Sequence, residues 1–138
     1  MKPVFADTFY WAALTSADDS FHDRAVEFSL SLQPEKIITT DEVLDEYLAF
    51  FSGAASYLRI RAGNTVDHLL NNSGVLVIPQ SRGAFVAGLQ LYRDRPDKGY
   101  SLTDCISMNI MRREGLNDIL TNDHHFEQEG FRVLFREE

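Results

Sequence analysis

Val4-Phe5-Ala6-Asp7-Thr8-Phe9-Tyr10-Trp11-Ala12-Ala13-Leu14 opens the chain with a short apolar run, a single acid, and then a helix-compatible run with an aromatic face. Residues 3–6 read as a strand and 8–15 as a helix, with Asp7 at the junction. Ser20 and Asp23 have the spacing of a capping box before a helix over 21–32, which Pro34 closes. Ile37 and Ile38 mark a second strand over 36–39. Thr39 or Thr40 can then cap a helix over 41–51, whose apolar stripe is Val43, Leu44, Tyr47, Leu48, Phe50 and Phe51. A helix over 56–71 follows. Residues 75–78, four β-branched or aliphatic residues between Gly74 and Pro79, suit a strand buried on both faces. Helices over 81–92 and 101–114 follow, the second stopped by Gly115. Ile119-Leu120 belongs to a fourth strand over 118–121, residues 122–128 form a loop or one helical turn, and 131–135 form a last, edge strand. Strands separated by helices predict an α/β fold: a short, mostly parallel sheet with helices on both faces, joined by right-handed crossovers.

The 138 residues fit a single domain, 1–138, with a core that needs no disulfide or metal staple. An apolar fraction of 44% and a charged fraction of 25% exclude a disordered or low-complexity chain. No apolar run approaches the length of a membrane helix, and the N-terminal stretch lacks a signal-peptide pattern. Cys105 stands alone, which suits a reducing, cytoplasmic setting. Acids outnumber bases 21 to 13, for a net charge of −8, so any nucleic-acid partner must be met by a local basic patch or by metal ions.

In an open parallel sheet, ligands bind at the carboxyl ends of the strands. Asp7 follows the first strand, Asp123 follows the fourth, and Asp104 starts a helix near the same rim. One of Glu42, Asp45 and Glu46, on the helix after the second strand, can join them; periodicity barely separates the three. Clustered carboxylates repel, and their pKa values rise unless cations neutralise them. Hard divalent ions, Mg²⁺ or Mn²⁺, are the natural neutralisers, and carboxylates holding them support phosphodiester hydrolysis by metal-activated water. Each acid also has a structural reading. Asp7 and Asp123 can be N-caps, Asp104 completes an S-x-x-D capping motif with Ser101, and Glu46 can be a solvated helix residue.

Four segments in order carry a family resemblance: Phe5-Ala6-Asp7-Thr8; Ile37-Ile38-Thr39-Thr40 with Val43-Leu44-Asp45-Glu46; Tyr100-Ser101-Leu102-Thr103-Asp104-Cys105-Ile106-Ser107; and Ile119-Leu120-Thr121-Asn122-Asp123-His124-His125-Phe126. Gly130-Phe131-Arg132-Val133-Leu134 matches a closing strand. Over nearly its whole length the chain resembles the PIN-domain family, metal-dependent nucleases that include the VapC-type toxins of bacterial toxin–antitoxin pairs. The resemblance implies a three-layer PIN-like sandwich and an Mg²⁺- or Mn²⁺-dependent endoribonuclease. It selects Glu46 over Glu42 and makes Asp7, Glu46, Asp104 and Asp123 the catalytic and metal-holding set. None of the four is replaced by an amide. It also implies an RNA substrate, an antitoxin partner and a homodimer. The dimer surface would come from large apolar residues of the early helices: Phe9, Tyr10, Trp11, Phe21, Phe28, Phe50 and Phe51.

Thr8, Thr121 and Asn122 are candidate polar supports of the acid pocket, and Asp97 a candidate outer acid. His124-His125 lacks partners at zinc spacing, although His125 can touch the pocket or a substrate. Cys105, among Ile106 and Ile110, reads as core rather than nucleophile. The bases within 93–98 precede the Asp104 helix and can hold phosphates there, or form ordinary surface ion pairs together with Arg59, Arg61, Arg112 and Arg113. Two rivals remain: a PIN-like binding module with little or no nuclease activity, and a flavodoxin-like or receiver-like signalling domain. The second would need a phosphoacceptor Asp after the third strand, where Val77-Ile78-Pro79-Gln80 stands.

Overall fold

A computed structural model describes residues 2–136. The elements are β1 (Val4–Ala6), α1 (Thr8–Thr15), α2 (His22–Ser31), β2 (Ile37–Thr40), α3 (Asp41–Phe50), α4 (Ser56–Asn71), β3 (Leu76–Ile78), α5 (Arg82–Asp94), α6 (Leu102–Arg113), β4 (Asp118–Leu120), α7 (His124–Gln128) and β5 (Arg132–Val133), with one 3-10 turn at Pro34–Lys36. The five strands run in the order β3-β2-β1-β4-β5, and all four pairings are parallel. That order differs from the 2-1-3-4-5 of flavodoxin-like sheets and removes the signalling-domain rival. All three residues of β1 and all four of β2 are buried. Alternate strand residues face opposite sides of a sheet, so helices cover both faces here, as expected for a PIN-like sandwich.

The third strand corrects an expectation. β3 is the sheet edge rather than a strand buried on both sides, and Leu76 is 50% exposed. A short aliphatic run reports affinity for burial but not how many neighbours the strand will find. The predicted Ser20–Asp23 capping box is also absent. The chain turns through residues 16–21 and α2 starts at His22, while Asp19 Oδ1 accepts the Phe21 N–H at 2.8 Å. Thr40 caps α3, Ser81 caps α5, and Ser101 with Asp104 forms a complete capping box on α6.

Of the seven aromatics expected to leave an interface, only Phe50 is exposed. Tyr10, Trp11 and Phe51 are buried, and Phe9, Phe21 and Phe28 pack against the core. The cause is that α1 is flanked by α2, α3 and α4. Phe135 completes that side: fully buried, its ring lies 5.1 Å from Phe9, 4.9 Å from Phe28 and 6.1 Å from Phe21, with the Arg24 guanidinium 5.2 Å above it. Exposed apolar side chains gather instead on α5, at Phe85, Val86, Leu89 and Tyr92. The opposite face of α5 lies tight on α6. A Cβ at Gly88 would meet Ile106 Cγ1 at 2.5 Å, so only glycine permits this approach. Among the described residues, no helix is long and apolar enough to cross a membrane.

Candidate metal centre and active site

From β1 the chain moves to β2 and β3 on one side, then crosses to β4 and β5 on the other. The strand order therefore reverses between β1 and β4, which is where a parallel sheet opens a crevice at its carboxyl edge. Asp7 leaves β1 at that point, and Thr121–Asp123 leave β4 beside it.

Asp7 occupies the N-cap position of α1, yet its side chain forms no cap hydrogen bond. It is 6% exposed, and its Oδ2 accepts from the Thr121 hydroxyl at 3.0 Å. Burial pushes its pKa from the usual 3.8 up to about 7. The charges of Asp104 and Glu46 add to the rise, against the pull of the Thr8 N–H and the Thr121 hydroxyl. The capping explanation of Asp7 is thereby removed. Thr121 Oγ1 also accepts the Asp123 N–H at 3.3 Å, so one hydroxyl ties two of the acids together.

Glu46, in the second turn of α3, accepts from the Thr8 hydroxyl at 2.6 Å. Glu42 and Asp45 have no such bond; they line a groove that Glu46 borders as well. Asp104 and Asp123 serve the backbone as well as the pocket. Asp104 Oδ2 accepts the Ser101 N–H at 3.0 Å, and Asp123 Oδ1 accepts the His125 N–H at 2.9 Å. The structural reading of these two is thus correct as far as it goes. Burial raises the Asp104 pKa, as do the charges of Asp123 and Glu46, against the Ser101 hydrogen bonds.

Ligand atoms of Asp104, Asp123 and His125 all lie within 4.8 Å of one another, a spacing that could hold a metal ion. Asp7 and Glu46 fall outside that tight set but act on Asp104 or on each other through their charge. His125 Nδ1 lies 3.3 Å from Asp123 Oδ1 and 3.9 Å from Asp104 Oδ2, is buried, and has no hydrogen-bond partner among the described residues. His124 points outward, its side chain 71% exposed. Carboxylate oxygens crowded round a buried acid fit a hard divalent cation, and a histidine nitrogen beside them does not conflict with one.

The remaining sequence candidates divide. Thr8 and Thr121 support the acids as expected, whereas Asn122 and Asp97 are exposed and hold none of them. Cys105 is a fully buried core residue. Of the bases within 93–98 expected to hold phosphates, Arg95 instead binds Glu129; of the other bases, Arg112 also binds Glu129, Arg59 the Ser52 carbonyl, Arg61 the Thr15 carbonyl, and Arg113 its neighbour Glu114. Glu129 was not legible at all. Its segment, Glu127-Gln128-Glu129, is a polar helix end in which Glu127 merely pairs with Arg136 at the surface.

The groove beside Glu46 has a volume of about 800 Å³. The acids Glu42, Asp45 and Glu46 line it together with Arg82 and the apolar side chains of Phe85, Leu102 and Ile106.

Comparison with known proteins bears on this architecture. The chain is 24% identical over 136 residues to VapC20 of Mycobacterium tuberculosis, a 23S rRNA-specific endonuclease, with 93% of this chain and 95% of that protein covered. The crystal structure of VapC20, described as a sarcin–ricin loop cleaving toxin, superposes with a TM-score of 0.82. The chain has the VapC-type PIN-like fold. FitAcB from Neisseria gonorrhoeae shares this PIN-like fold at a TM-score of 0.66 and 15% identity, over 94% of this chain and 95% of that one. No protein-family profile matches the chain. The sequence segments that suggested a PIN-like fold map onto the β1–α1 junction, β2 with α3, the start of α6, and β4 with α7.

Proposed function

We propose that this single PIN-like domain is an Mg²⁺- or Mn²⁺-dependent endoribonuclease in which Asp7, Glu46, Asp104 and Asp123 form the catalytic and metal-holding set. The observation that carries the reading is Asp7. A carboxylate that is buried, does not cap its helix and faces other acids is costly to keep charged unless a cation joins it. The resemblance to an rRNA-cleaving endonuclease supports RNA as the substrate class. Asp7, Glu46, Asp104 and Asp123 would hold a divalent ion, which would supply positive charge against the scissile phosphate and lower the pKa of water for hydrolysis. The chain's own groups do the placing. Thr121 fixes Asp7 and the start of the Asp123 loop, Thr8 fixes Glu46, and the Ser101 box fixes Asp104 at the head of α6. A partner protein such as an antitoxin suits the groove beside Glu46, whose three acids and apolar lining match a basic, apolar segment.

Purified protein is expected to cleave RNA with Mg²⁺ or Mn²⁺ and to stop when EDTA is added. Metal-independent cleavage, or no cleavage at high enzyme concentration with either ion, overturns the reading in favour of a binding module. For assembly we propose a homodimer, with the apolar face of α5 rather than the early helices at its centre. Sedimentation at micromolar concentration is expected to give a dimer in low and high salt, and Leu89→Glu a monomer. A wild-type monomer in both salts defeats this assignment.

A further inference from the structure

One buried carboxylate has no part in the chemistry above. Glu129, just past α7, has a side chain only 6% exposed. Arg95 Nε reaches its Oε2 at 3.1 Å, the Tyr100 hydroxyl donates to the same oxygen at 2.9 Å, and Arg112 Nη2 reaches Oε1 at 2.8 Å. Arg112 also donates to the Glu129 backbone carbonyl at 3.2 Å. Burial alone would raise the pKa of this group, but hydrogen bonds from Arg112, Tyr100 and Arg95 outweigh it and hold the carboxyl below its ordinary range. Glu129 therefore stays charged and joins the loop after α5, the last turn of α6 and the end of α7.

This hub reaches the acid pocket through Tyr100. The Tyr100 ring meets the His125 imidazole edge-on, with centroids 5.3 Å apart. Gly99 backs the same ring, since a Cβ there would lie 3.9 Å from His125 Nε2. On its other side the imidazole presents the unpartnered Nδ1 to Asp123 and Asp104. The α7 helix has only five residues and cannot hold its own geometry. A charge-assisted, multiply bonded carboxylate at its end can.

We propose that Glu129 is a positioning residue: acting through Tyr100, it sets the His125 ring and the α7 wall of the pocket against Asp104, keeping the donor atoms of Asp104, Asp123 and His125 at metal-binding separation. The inference rests on the metal-site reading above. The competing role is a purely structural lock on the loop at residues 95–100.

The two roles separate in Glu129→Gln and Tyr100→Phe, with Arg132→Gln as a control that breaks the surface pair to Asp118 away from the carboxyl edge. Mn²⁺ affinity by calorimetry is expected to fall about tenfold in both hub variants, the usual effect of losing an outer partner of a metal ligand. The side-chain ¹⁵N resonances of His125 in metal-free protein should shift or broaden, and kcat should fall with KM unchanged. Arg132→Gln should alter none of these. Wild-type Mn²⁺ affinity and unperturbed His125 resonances in both hub variants, whatever their melting temperatures, overturn the proposal. If the wild type binds no Mn²⁺, the metal-site reading fails instead, and the His125 resonances still decide the positioning role. If Glu129→Gln does not fold, Tyr100→Phe, which removes one hydroxyl and leaves the ring, decides alone.

Discussion

At pH 8 and without metal, Asp7→Asn is expected to melt roughly 10 °C above the wild type while losing cleavage. Asp7 titrates at about 7 in the folded protein against 3.8 for an ordinary Asp. The folded state therefore holds this proton more tightly than the unfolded state. Stability contributed by protonated Asp7 is present below pH 4, declines as pH rises toward 7, and is gone above that. The whole span amounts to on the order of 4 kcal/mol. Asparagine carries no charge at any of these pH values and can still accept the Thr121 hydroxyl. The two proteins should therefore melt together near pH 4 and diverge as pH rises. Saturating Mn²⁺ should lift the wild type toward the variant. Asp104→Asn should gain less, because Asp104 also completes a capping box. Cleavage by Asp7→Asn should fall by more than about a hundredfold, beyond the usual effect of losing an outer partner of a metal. Melting curves from pH 4 to 9 with and without Mn²⁺ check this. A destabilised metal-free variant at pH 8 would mean that the Asp7–Thr121 bond is structural first.

Phe135→Ala is expected to destabilise the protein by about 3–5 kcal/mol, a large share of the roughly 5–15 kcal/mol that holds a domain folded. The side chain is fully buried against Phe9, Tyr10, Phe21 and Phe28. Its removal leaves a cavity that rigid rings cannot close, together with the loss of two edge-on and two tilted aromatic contacts. Phe135→Leu should recover more than half of the loss. Urea unfolding reads both variants, and a change below about 1 kcal/mol for the alanine variant would show that the cage closes over without it.

The pattern of apolar runs and acids carried the fold a long way. The strand–acid–helix order at Asp7, the cap at Thr40 and the Ser101–Asp104 box were all legible because local chemistry alone dictates them. The strand order was not, and β3 shows why: hydrophobicity along a strand does not encode its neighbours. Aromatic content misled in the same way. Phe9 and Trp11 lie on a helix flanked by three others, while the exposed face of α5 looks unexceptional in sequence. In the pocket, Thr8 and Thr121 could be suspected from adjacency to the acids. Glu129 could not, because what distinguishes it from Glu127 is two arginines, 17 and 34 residues away, that reach it only in the folded chain.

The bond between Thr121 and Asp7 spans 114 positions of the chain. β1, the centre of the sheet, likewise waits for β4 to cover one of its two edges. During synthesis, Asp7 leaves the ribosome early, but its pocket has no second wall until residues 118–123 have emerged. No shorter nascent fragment can assemble the acid cluster. On the reading proposed above, cleavage has to wait for residues 118–123, so the RNA of the ribosome making the chain meets no assembled site before they emerge.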